Sequence, residues 1–138
     1  MEFEVVTLDE AQIEDIESRL EKYDCKNIGY KISDKINLGI RIKGKIVAGV
    51  DASITAYKIL YVSTVFVDEE YRGKGIGKKL MEILENKAKE IGVNMIRLDS
   101  FNWQGYEFYI KIGYELIGKY ENKIDGFSEY FFIKRLMK

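Results

Sequence analysis

Alternation and helical spacing divide the chain into elements before any single residue is weighed. Ile36, Leu38, Ile40 and Ile42 alternate with Asn37, Gly39 and Arg41, the period-two pattern of a half-buried strand. Lys43-Gly44-Lys45 supplies a turn into a second strand, Ile46 to Ala56, so the pair predicts a hairpin. Tyr57-Lys58 leads into a third strand, Ile59 to Val67. From Ile76 the period changes: Ile76, Leu80, Ile83, Leu84, Ala88 and Ile91 line one helix face, lysines and glutamates the other, until Gly92 stops the helix. Met95 to Phe101 reads as a further strand, Asn102 to Ile112 as a helix ending at Gly113, and Tyr114 to Lys119 and Glu129 to Leu136 as two closing strands. Ahead of all these, Phe3 to Leu8 reads as a strand. Asp9 and Gln12 then make a capping-box-like start for a helix carrying Ile13, Ile16, Leu20 and Tyr23. Tyr23 to Lys35 has no clear period and is expected to be a loop or a short irregular helix. No linker, repeat or low-complexity tract interrupts this order, so one domain over residues 1–138 is expected.

Composition narrows the chemistry. The 138 residues are 46% hydrophobic, enough for one domain with a proper core, and the 33% that are charged nearly cancel to a net charge of -1, with a pI near 5.7. That is not the footprint of a general nucleic-acid binder, so an anionic ligand must be held locally. An RNA-binding α/β domain using exposed lysines and tyrosines is disfavoured on the same ground. The single cysteine, Cys25, can form neither an internal disulfide nor a multi-thiolate metal site. No run approaches the roughly 18 apolar residues of a membrane span, and the acidic start MEFEVVTLDE is no signal peptide. A soluble, cytoplasmic protein with no membrane partner is expected. Histidine is absent, which removes the usual near-neutral base and the commonest metal ligand, so no metal is expected.

One stretch concentrates the chemistry: VDEEYRGKGIGKKL, residues 67–80. A strand running through a glycine-rich turn into a helix aims backbone N–H groups and the positive end of the helix dipole at one place. Side chains at Gly73, Gly75 and Gly77 would crowd an approaching diphosphate, and Arg72, Lys74 and Lys78 can add charge-assisted bonds. A Walker loop is excluded because Arg72 stands at its first glycine position and Lys79 at its hydroxyl position. A dinucleotide fingerprint fails because Lys78 and Leu80 stand where its third glycine belongs.

Arg72-Gly73-Lys74-Gly75-Ile76-Gly77 resembles the acyl-CoA motif R/Q-x-x-G-x-G/A of the GNAT N-acetyltransferase superfamily, and the likeness runs from about Tyr61 to Gly113. Glu69 departs from it, standing where many members carry proline. A second motif follows: Asn102, Gly105, Tyr109, Gly113 and Tyr114 match N-x-x-A-x-x-x-Y-x-x-x-G-F/Y, with Gly105 in place of alanine. The resemblance implies an α/β (α+β) fold, a mixed, mostly antiparallel sheet with central splayed strands, flanked by helices. It also implies a β-bulge that parts the strand ending at Val67 from Met95–Phe101 and opens room for a pantetheine arm, with Val65, Phe66 and Val67 pairing to it as in strand addition.

The activity implied is transfer of an acetyl group from acetyl-CoA to a primary amine, small-molecule or peptide. Tyr109 is then the proton donor to the departing thiolate, since a phenol with a reference pKa of about 10 stays protonated at neutral pH. The Val67 N–H would meet the oxyanion. The cofactor-binding set is Val65, Phe66, Val67, Arg72, Gly73, Lys74, Gly75, Ile76, Gly77, Lys78, Asn102 and Tyr109, although Asn102 reads equally as a helix N-cap. Asp68, Glu69, Glu70, Asp99, Glu107, Tyr57 and Tyr61 lie near the motifs as bases, with deprotonation through ordered water preferred; Arg97 and Asp99 share a strand face and can simply pair. Trp103, Gln104 and segment 23–35 are candidate walls of the acceptor pocket. Many relatives are dimers, which leaves a homodimer open. A non-catalytic acyl-CoA-binding module is the alternative; it would keep the glycines without needing Tyr109.

Overall fold

The computed structural model describes residues 1–29 and 34–136, in two compact units, Met1–Lys31 and Ile32–Lys138. The first unit holds one helix, α1 (Glu10–Cys25). Its start is the expected capping box: the Asp9 carboxylate accepts from the Gln12 amide at 2.8 Å and the Gln12 side chain accepts from the Asp9 amide at 3.0 Å. Phe3–Leu8 is not a strand, because the only regular element in its own unit is a helix and offers it no ladder. Of the segment expected to be irregular, Tyr23 to Cys25 complete α1, residues 30–33 lie outside the described residues, and Lys35 opens a strand.

The second unit is a six-stranded sheet: β1 (Lys35–Ile42), β2 (Lys45–Ala56), β3 (Ile59–Val67), β4 (Met95–Phe101), β5 (Glu115–Asn122) and β6 (Phe127–Arg135), in the order β1-β2-β3-β4-β6-β5. All neighbours are antiparallel except β3 and β4. Two helices join the strands, α2 (Ile76–Glu90) after β3 and α3 (Tyr106–Lys111) after β4, and a 3-10 turn at Glu69–Tyr71 precedes α2. The core gathers Ala48, Val50, Leu60, Val62, Ile96 and Leu98 from the strands and Leu80, Met81, Leu84 and Ala88 from α2. Burying these apolar side chains is the main favourable term in the fold. The mixed, mostly antiparallel, helix-flanked sheet is the architecture expected.

Three boundaries differ from the sequence reading. The helix expected from Asn102 begins only at Tyr106, because the preceding residues have other partners. The Asn102 amide donates to the Ser128 carbonyl at 3.0 Å and its Oδ1 accepts from the Ser128 amide at 2.9 Å. Asn102 is therefore no N-cap; Gly105 holds that position. The strand expected at Tyr114–Lys119 runs instead from Glu115 to Asn122, and β6 starts at Phe127; the Gly126 amide closes the intervening turn on the Asn122 carbonyl at 2.8 Å. In α2, Glu85 joins Met81, Leu84 and Ala88 on the buried face. It accepts from the Tyr114 hydroxyl at 3.1 Å and from Lys134 Nζ at 2.9 Å, the pairing that a buried charge requires.

Candidate active site

The site forms where β3 leaves β4. Only Ile59, Leu60 and Tyr61 of β3 pair with β4, and the last pair is Tyr61 with Arg97. On the β2 side the register jumps from Asp51↔Thr64 to Ala52↔Val62, so Ser63 is an extra residue: a bulge, which bends and twists the strand carrying it. The splay expected between these two strands is present. The Asp68 amide donates to the Val47 carbonyl at 2.8 Å, extending the Ala48↔Val67 register by one residue. Polar backbone groups of successive strand residues point to alternate sides. Phe66 therefore turns its N–H and C=O toward β2, while Val65 and Val67 turn theirs into the gap. Strand addition at the gap falls to Val65 and Val67, not to all three residues.

The loop from 72 to 77 uses its glycines for two different reasons. Gly73 and Gly75 have φ of +75° and +82°, the left-handed region that glycine enters without penalty, and nothing lies within 4 Å of a Cβ at either. Gly77 answers to packing: a Cβ there would meet the Phe108 ring of α3 at 3.3 Å and Val67 at 3.6 Å. Among the described residues none accepts from the main-chain amides of residues 73–78, and the first bond of the following turn runs from the Lys79 N–H to the Gly75 carbonyl at 3.0 Å. Those donors remain open to an anion. Ile76 is the first residue of α2 and supplies one of them. Arg72 is committed elsewhere than the sequence suggested: its Nε donates to the Val67 carbonyl at 2.8 Å, and its guanidinium lies 5.2 Å over the Phe66 ring. Lys74 reaches over the Tyr71 ring at 5.5 Å. Lys78 lines an open cavity of about 310 Å³ with Met81, Glu85, Lys111 and Lys134; Tyr109 is not in its walls.

Tyr109 projects from α3 into the core with its ring against Phe108, Tyr114 and Phe132, and only 8% of the residue is exposed. No described residue hydrogen-bonds its hydroxyl, yet no buried side-chain oxygen is left without a partner, so the hydroxyl itself reaches solvent. Burial, with a smaller contribution from the Asp99 charge, pushes its pKa up to about 12, which keeps the phenol protonated and able to donate. Tyr114 differs: its hydroxyl is spent on Glu85, and burial followed by that carboxylate raises it further. Gly105, one turn before Tyr109, has a packing role, since a Cβ there would come within 2.9 Å of the Tyr109 ring.

The candidate bases separate by their partners. Asp68 and Glu70 pair with Lys45 at 3.6 and 3.8 Å. Glu69 and Glu107 are exposed, and Tyr57 sits in the turn at the far end of β3. Asp99 and Arg97 both engage Tyr61: its hydroxyl donates to Asp99 Oδ2 at 3.1 Å, and the guanidinium lies 4.4 Å over its ring. Burial, then the bond to Asp99, raises the Tyr61 pKa. Gln104 is used locally, its Oε1 accepting from the Phe101 amide at 2.8 Å, and Trp103 stacks on Phe101 at 4.7 Å. Two residues that the sequence left unremarked complete the surroundings. Ser100 is buried and its Oγ accepts from the Gly105 amide at 3.0 Å, fixing the start of α3; Glu129 accepts from Tyr120 at 2.6 Å. Their sequence neighbourhoods carry no signal, because both partners are set by strand order. Glu85 had one: it stands at i+4 from Met81 and i+1 from Leu84 on the apolar stripe.

Known proteins carry the same features. Residues 34–116 match the family model described as an acetyltransferase (GNAT) domain. An acetyltransferase of Agrobacterium fabrum is 31% identical over 103 residues, 75% of this chain and 75% of that protein. The crystal structure of an acetyltransferase from Bacillus cereus superposes with a TM-score of 0.87 at 31% identity, covering 96% of this chain and 97% of its own. A streptothricin acetyltransferase from Bacillus anthracis, solved in complex with acetyl coenzyme A, shares the fold with a TM-score of 0.67 at 19% identity, over 80% of this chain and 66% of that one. No group of histidine, cysteine and carboxylate side chains able to hold a metal occurs among the described residues, and no helix there is long and apolar enough to cross a membrane.

Proposed function

The chain belongs to the GNAT acetyltransferase family, and we propose that it transfers an acetyl group from acetyl-CoA to a primary amine by direct attack of the nitrogen on the thioester. The observation that carries this reading is Tyr109: a phenol buried in its ring, protonated up to a pKa of about 12, and without a protein partner at its hydroxyl. Acetyl-CoA is a substrate here, and the open amides of residues 73–78 suit its diphosphate. The gap-facing backbone of Val65 and Val67 suits the pantetheine amides.

Each chemical requirement then has a candidate in the chain. The acceptor loses one proton through water and its nitrogen forms the new N–C bond. The charge that develops on the carbonyl oxygen is met by the Val67 N–H, whose strand end is fixed by Arg72. The C–S bond breaks, the sulfur takes the Tyr109 proton, and the second nitrogen proton returns through water to the phenolate. Asn102 keeps only its side-chain NH₂ for the cosubstrate, since its oxygen is bound to Ser128.

Two measurements test this. Acetyl-CoA at about a hundred times its Kd should stabilise the protein by roughly 2.7 kcal/mol. Tyr109→Phe should keep that stabilisation and lower thiol release with an amine acceptor by about 100-fold, the scale of a positioned acid. Undiminished turnover in the variant removes Tyr109 from the chemistry. Stabilisation without thiol release across a panel of amines would identify a non-catalytic acyl-CoA-binding module instead.

A further inference from the structure

The carboxylate nearest the fork of β3 and β4 has no assigned task. Tyr61 and Arg97 are the last paired residues, and Asp99 is two positions further along β4, on the same face. That face is opposite the helices, since Leu98 and Ser100 between them are buried and Arg97 and Asp99 are exposed. Tyr61 donates to one Asp99 oxygen and Arg97 holds the Tyr61 ring. The other oxygen, Oδ1, has no partner among the described residues. We propose that Asp99 anchors the ammonium group of the acceptor, and that the acceptor is a cationic amine without a neighbouring carboxylate, whose planar or apolar body lies on the Phe101–Trp103 ring pair.

This rests on the acetyl-transfer reading above and adds the chemistry of the second substrate. Tyr109 points to a ligand independently of Asp99: its ring is more than nine-tenths buried and its hydroxyl is unpartnered. The Asp99 charge is felt at that phenol, so the two groups share the gap, which leaves the thioester carbonyl between an acid and an amine anchor. Beyond Asp99 the same face is aromatic. Phe101 stacks on Trp103 with ring centroids 4.7 Å apart and meets Phe127 edge-on at 5.5 Å, and Trp103 is 65% exposed, so one flat surface is open to a ligand. Glu129 is the register partner of Phe101 on β6, and its charge also reaches Tyr61. With Arg97 stacked on the ring, Asp99 and Glu129 leave the surface net negative. It therefore attracts an ammonium and repels a free carboxylate.

Tryptamine and tryptophan, which differ by one carboxylate, test the inference with acetyl-CoA as donor and thiol release as readout. Tryptamine should be used with a kcat/KM at least about tenfold above tryptophan. Asp99→Asn should lower kcat/KM for tryptamine by about 10- to 100-fold, mainly through KM, while leaving the acetyl-CoA thermal shift unchanged, and Asp99→Glu should recover part of it. Trp103→Ala should raise KM for tryptamine more than for ethylamine. Equal use of the two indoles, an unaltered KM in Asp99→Asn, or no acetylation of tryptamine by a protein that still binds acetyl-CoA would each overturn the inference. Absence of any acetyl-CoA shift in the unsubstituted protein would instead bring down the acetyl-transfer reading first, and this inference with it.

Discussion

Replacing Gly105 with alanine is a one-methyl test of how Tyr109 is held. The backbone at Gly105 has φ of −122° and ψ of 21°, which alanine adopts freely, so the substitution by itself should stabilise by about 0.4–1 kcal/mol through the unfolded chain. The methyl, however, would sit 2.9 Å from Tyr109 Cε2 and 3.3 Å from Cδ2. The ring cannot simply slide away, because Phe108, Tyr114 and Phe132 flank it at 5.2–5.7 Å. Overpacking of this kind costs about 1–3 kcal/mol, so the net expectation is a loss of roughly 0.5–2 kcal/mol, or about 2–10 °C in Tm for a unit of this size. Thermal melts of Gly105→Ala in the native and in a Tyr109→Leu background isolate the contact. In the second background the ring edge is gone and alanine should become neutral or stabilising. An equal penalty in both would refute the packing argument. Because the displaced group is the proposed acid, kcat should fall as well, with little change in KM for acetyl-CoA.

Gly75→Asp should abolish the acetyl-CoA thermal shift through charge repulsion while the protein still melts cooperatively; a normal shift would mean that the loop does not touch phosphate. Alkaline pH should destabilise the fold. The unfolded Tyr109 phenol ionises near its model value of 10.0 and the folded one only at about 12, so the native state holds more protons between those values and stability falls as pH rises through them. The loss from Tyr109 is on the order of 2–3 kcal/mol, Tyr114 adds to it in the same direction, and Tyr109→Phe should remove the Tyr109 share in urea melts at pH 9 and 11. Lys134→Ala strands the Glu85 carboxylate with Tyr114 alone; the cost should be roughly 2–3 kcal/mol, below that of a fully buried pair, because 26% of the Lys134 side chain is exposed. Replacing Glu85 and Lys134 together by leucine should cost less than Lys134→Ala, and a larger cost would contradict the desolvation argument.

What the sequence revealed follows from which interactions are local. The β1–β2 hairpin and α2 were legible because alternation, a two-residue turn and a helical stripe are written into neighbouring residues. The loop of residues 72–77 was legible for the same reason. The bulge at Ser63 was not: Tyr61-Val62-Ser63-Thr64-Val65 reads as uninterrupted strand, and only the register against β2 exposes the extra residue. Resemblance, not periodicity, supplied the splay. Asn102 was misread as a possible N-cap because its partner, Ser128, is 26 residues away. Arg72 was read as a phosphate ligand because its charge is visible in the sequence and the Val67 carbonyl that holds its Nε is not. Tyr109 stood out only by its place in a motif, and the structure adds the reason to single it out, an unshared hydroxyl on a buried ring.

The order of the strands imposes a schedule on assembly. Because β6 lies between β4 and β5, β5 has nothing to join when it leaves the ribosome, and β4 keeps an unsatisfied edge until residues 127–135 arrive. The two later strands must therefore close as a hairpin and dock together, a step that waits on distant parts of the chain and exposes a sticky margin meanwhile. Aggregation during synthesis should accordingly respond most to changes in the 122–127 turn, where the hairpin is nucleated.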